Sequence, residues 1–77
     1  MMIEELDRVV LQTDVPQHGL TTGDVGTVVM VHQGGQGYTV EFLTLAGETV
    51  AVETLSASQV RAIQPNEITH ARQLATA

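Results

Sequence analysis

The chain has no cysteine, no lysine and no tryptophan among its 77 residues. Without cysteine it can build neither a disulfide framework nor a thiolate zinc site. The missing lysine leaves three arginines (Arg8, Arg61, Arg72) against nine acidic residues, a formal net charge of −6. Proteins that grip a nucleic-acid backbone gain affinity by displacing its counterions with Lys and Arg. Three scattered arginines form no basic stripe, so nucleic acid is a disfavoured partner, and so is an anionic membrane surface. No apolar run approaches the roughly 18 residues that cross a bilayer. The start, Met1-Met2-Ile3-Glu4-Glu5, lacks the basic head and apolar stretch of a secretory signal, and a cytoplasmic location is expected.

The helix period is also missing over residues 1–64. Short β-branched runs separated by Gly, Pro and Asp take its place, the pattern of a small barrel or sandwich. The first run is Asp7 to Thr13, with Val9 and Leu11 on one face. A long connection follows, in which Pro16 fixes its own φ, Gly19 suits a positive φ and Leu20 is the side chain expected to pin the loop to the core. The second run reaches His32, and period two places Val25, Val29 and Val31 inward. Gly34-Gly35 supplies a tight turn. The third run, Gly37 to Thr44, turns Tyr38, Val40 and Phe42 inward. Ala46-Gly47 makes the next turn, and the fourth run, Glu48 to Leu55, turns Val50 and Val52 inward. Ser56-Ala57-Ser58 fits one 3-10 turn, and Val60 to Ile63 makes a short fifth strand. A long first loop, a three-stranded meander, a 3-10 turn and a short last strand are the layout of an all-β, five-stranded SH3-like barrel over residues 1–64.

Residues 65–77 differ in character and form a separate tail. Asn66 can cap a helix, and Ile68, Ala71, Arg72, Leu74 and Ala75 give a narrow apolar stripe at helical spacing. A short helix or a disordered segment is expected there, because a helix of this length is marginal alone.

No catalytic grouping is legible, and no enzyme activity is expected. His18, His32 and His70 are spread over loop, strand end and tail; His18 beside Asp14 or Asp24 is the one conceivable ligand pair, and no fixed spacing demands it. Glu41, Glu48 and Glu53 read as the solvated side of the sheet. General acid–base chemistry would need a pocket around them. Ser56 and Ser58 lie in the capping turn with no base nearby in sequence. Gly34-Gly35-Gln36-Gly37 has neither a lysine nor a following helix and makes no phosphate cradle. No cofactor and no metal are expected.

One surface feature stands out. If Val29 and Val31 face in, Val28 and Met30 face out, and by the same alternation so do Val10 and Ala51. Together they make an apolar outer patch with an adaptable methionine, the expected partner surface. Its alternative cover is the chain itself, through Ile3 and Leu6 or through Ile68 and Leu74.

The segments Asp7-Arg8-Val9-Val10-Leu11, Gly19-Leu20 and Gly23-Asp24-Val25-Gly26-Thr27-Val28-Val29, followed by Tyr38-x-Val40-Glu41-Phe42 and Thr49-Val50-Ala51-Val52, resemble a family of short bacterial domains of unknown function. The resemblance covers about residues 5–63 and implies an SH3-like barrel with no activity, cofactor or catalytic residue to carry over. Proximity of some members to genes of toxin-like proteins implies an antitoxin or immunity role. A more distant similarity, through the Gly23-Asp24-x-Gly26 core, is to KOW-type domains. There Gly23 and Gly26 let the chain turn into the strand and backbones approach, and Asp24 holds the turn. The expected function is a non-catalytic protein-binding module with another protein, of basic charge, as its partner. A ribosome- or RNA-associated domain and a self-associating structural protein are the alternatives, and monomer and homo-oligomer remain equally open.

Overall fold

A computed structural model of the chain describes residues 2–74. The β-branched runs form five strands: β1 (Arg8–Leu11), β2 (Val25–His32), β3 (Gly37–Leu43), β4 (Thr49–Ser56) and β5 (Val60–Ala62). They make one five-stranded antiparallel sheet in the order β4-β3-β2-β1-β5. One 3-10 turn, Pro16–His18, lies in the long loop, and a second, Ala57–Gln59, precedes the last strand. Proline opens the first turn and Gly19, at φ 68°, closes it. Within that loop Val15 and Leu20 exchange backbone hydrogen bonds of 2.9 and 3.1 Å, and both side chains are buried in the core. The loop is therefore folded onto the sheet.

Side chains from every strand meet on one face of the sheet. Val9 and Leu11 of β1, Val28 of β2, Tyr38, Val40 and Phe42 of β3, Ala51 and Leu55 of β4 and Val60 of β5 join Val15 and Leu20 in a single cluster. Ile3, Val31 and Val50 pack against it.

Period two holds in β3 and fails in its neighbours, and bulges explain the failure. In β2, Val28 faces Val40 and the next pair is Met30 with Thr39, so Val29 is an extra residue. A bulge sets two residues against one and shifts the phase of the strand. Upstream of it Gly26 and Val28 point inward; downstream Val31 does. Val28 is consequently fully buried while Val29 is 40% exposed. This corrects the faces expected from strict alternation: Val28 is in, and Val25 and Val29 are out. In β4 the phase slips between Phe42–Ala51 and Leu43–Thr49, with Val50 as the extra residue. Ala51 is a core residue and Val52 an exposed one, again the reverse of the expectation.

The tail has no helix among the described residues. A turn at Pro65–Asn66 sends the chain back in an irregular path. Glu67 is drawn into hydrogen bonds with Arg61 and with the Gln64 N–H. Ile68, meant for the apolar stripe, is exposed.

Candidate functional site

The outer face of β2, β3 and β4 is built from the residues the bulges turn outward. Val29 and Met30 both oppose Thr39 across the bulge. Val52 lies opposite Glu41 on the other side of β3. Met30, Leu43 and Val52 are each about half exposed. The polar side chains among them are satisfied by one another. His32 Nε2 and Thr39 Oγ1 are 2.7 Å apart, Thr39 and Thr54 share a hydrogen bond of 3.0 Å, and Thr49 donates to Glu41 at 2.9 Å. What this face offers a visitor is therefore apolar area, a few aligned hydroxyls, the His32 ring and the Glu41 carboxylate.

The four side chains expected to form the partner surface are separated. Met30 alone lies on this exposed face. Val28 and Ala51 belong to the core. Val10 points away from the core cluster but is buried. It pairs with Val25 and Arg61, and the tail crosses above it. Val10, Val25, Ile63, Ile68 and His70 line a cleft between tail and sheet. Sequence reasoning missed Val29 and Val52 because it read each valine run at constant phase.

Two arginines fasten the tail. Arg61 makes a bidentate contact with Glu67, at 2.8 and 2.7 Å. Arg72 reaches back to Asp24 through Nε at 2.8 Å and a terminal nitrogen at 2.5 Å, and donates to the Gly19 carbonyl at 3.0 Å. Asp24 also accepts the Thr21 N–H at 2.8 Å, and Gly23 beside it sits at φ 98°. Gly26 has no such φ; its place is set by contact with β3. Burial pushes the Asp24 carboxyl up, but the Arg72 hydrogen bond and the Thr21 N–H outweigh it and leave the pKa lowered. The Arg61 hydrogen bond, aided by the Gln64 N–H, holds Glu67 at about 2. Asp14 is lowered by the Thr22 N–H and hydroxyl.

Glu53 departs from its expected solvated place. It is opposite Val40 on the inward side of β4, and His18 of the first 3-10 turn meets it at 2.7 Å. The partner of His18 is thus neither Asp14 nor Asp24. Among the described residues no three His, Asp or Glu side chains converge as a metal site would require. None of their helices is long and apolar enough to cross a membrane.

This arrangement defines a small all-β domain whose tail is tied to β5 and to the long loop by arginine–carboxylate pairs and whose β2–β4 outer face is exposed. The chain belongs to the family described as Domain of unknown function (DUF4926), whose model matches residues 5–62. No curated protein and no solved structure matches it.

Proposed function

We propose that this domain is a non-catalytic protein-binding module that meets its partner through the outer face of β2–β4. The observation that carries this reading is the bulge at Val29, which sets Val29 and Met30 side by side facing outward, with Leu43 at the end of β3 and Val52 on β4 beyond it. Apolar side chains gathered on an open sheet face favour protein contact, and a methionine adapts to a partner's shape. The net charge of −6 favours a basic partner and speeds its encounter. An antitoxin or immunity protein of the bacterial cytoplasm, built on an SH3-like barrel, fits that chemistry. A KOW-type RNA role has less support, because Arg61 and Arg72 are already engaged by carboxylates.

Met30→Glu is the test. Affinity capture from the native host with wild-type and variant protein should return a basic protein that the variant loses. Its measured affinity should fall by about 1–2 kcal/mol, as at an interface residue that matters. Equal retention of every captured protein by the two forms would refute the reading.

A further inference from the structure

The two edges of the sheet are unlike. β5 has three residues, carries Arg61 and runs into Pro65. β4 has eight residues, Thr49–Ser56, and stands last in the strand order. Among the described residues no strand pairs with its other side. A long free edge is a template for another chain, and proteins blunt such edges with lysine, proline, bulges or inward charges. β4 has no lysine, arginine or proline. Its bulge at Val50 lies near its start, and its single charge, Glu53, is engaged by His18. Beyond the bulge the edge is regular, and Val52 beside it is 54% exposed.

We propose that β4 is a dimer edge at which a second copy of this chain adds its own β4 in antiparallel register. Two five-stranded sheets then become one continuous sheet. The occupant follows from the low charge of this edge and from symmetry. A chain of net charge −6 repels its copy over most of its surface. The stretch from Ala51 to Ser56 is a place where that opposition is small. A basic peptide, the other candidate strand donor, would find a single carboxylate here, already held by His18. A two-fold contact needs a strand that complements itself. With Val52 opposite Val52, Ala51 stands opposite Glu53 and the two carboxylates are diagonal to each other instead of face to face. The register with Glu53 opposite Glu53 sets like charges face to face and is disfavoured. The contact closes on itself, because short β5 offers no comparable edge for further growth. This goes beyond the partner-binding reading and does not depend on it.

Sedimentation of the full chain from micromolar to millimolar concentration is the experiment. It should show a monomer–dimer equilibrium, and amides of residues 49–56 should exchange with solvent more slowly as concentration rises. Val52→Lys should weaken the dimer at least about tenfold, or ~1.4 kcal/mol. Met30→Glu, two strands away from the edge, should leave it unchanged. A clean monomer through millimolar concentration overturns the proposal. So does a dimer lost in Met30→Glu and kept in Val52→Lys, which would mean that faces stack instead of edges pairing.

Discussion

A methyl group at position 26 would collide with the core: an ideal Cβ there lies 2.5 Å from Val40 Cγ1 and 2.9 Å from the Phe42 ring. Gly26 is required by that close approach and not by its φ. Gly26→Ala should destabilise the domain by about 1–3 kcal/mol, the range for overpacking, as read from urea unfolding. At this scale the sequence was legible where alternation was marked by polar residues. In β3, Thr39 and Glu41 punctuate Tyr38, Val40 and Phe42, and the phase is unambiguous. In Val28-Val29-Met30-Val31 every residue is apolar, so either phase fits until one residue is skipped. Glu53 misled for a different reason. A carboxylate on a strand reads as solvated, whereas His18, 35 positions away in the sequence, meets Glu53 on the inward side.

Elements were more legible than the phases within them. Glycines marked the hairpin turns, and the run lengths marked five strands and the 3-10 turn before the last. The tail was not legible, because its conformation is fixed by partners remote in sequence. Arg72 and Asp24 are 48 residues apart, and helical periodicity is a local signal. These pairs also give the tail a pH dependence. The folded pKa of Glu67 is depressed, so the attachment it provides is complete above about pH 4.5 and is lost as pH falls toward about 2. Asp24 shifts in the same direction. Amide chemical shifts of residues 64–72 followed through acid titration should report release of the tail in that window. Arg72→Ala should loosen the tail at neutral pH while the urea midpoint of the sheet stays near that of wild type. A helix appearing in residues 65–74 at neutral pH would contradict this account.

For the whole molecule, one contiguous core joins all five strands and the long loop. A single domain of this size is expected to unfold cooperatively, so damage to any part of that cluster registers globally. The identity of the outer face, and with it the proposed contact surface, rests on the bulge at Val29. The most direct measurement is urea unfolding of Val28→Asp beside Val29→Asp. Val28 is fully buried, and an unpaired carboxylate there should abolish the folded state. Val29 is 40% exposed, and its aspartate variant should fold with a wild-type spectrum. A folded Val28→Asp with an unfolded Val29→Asp would contradict the account, because the valine at 29 would then be the one inside.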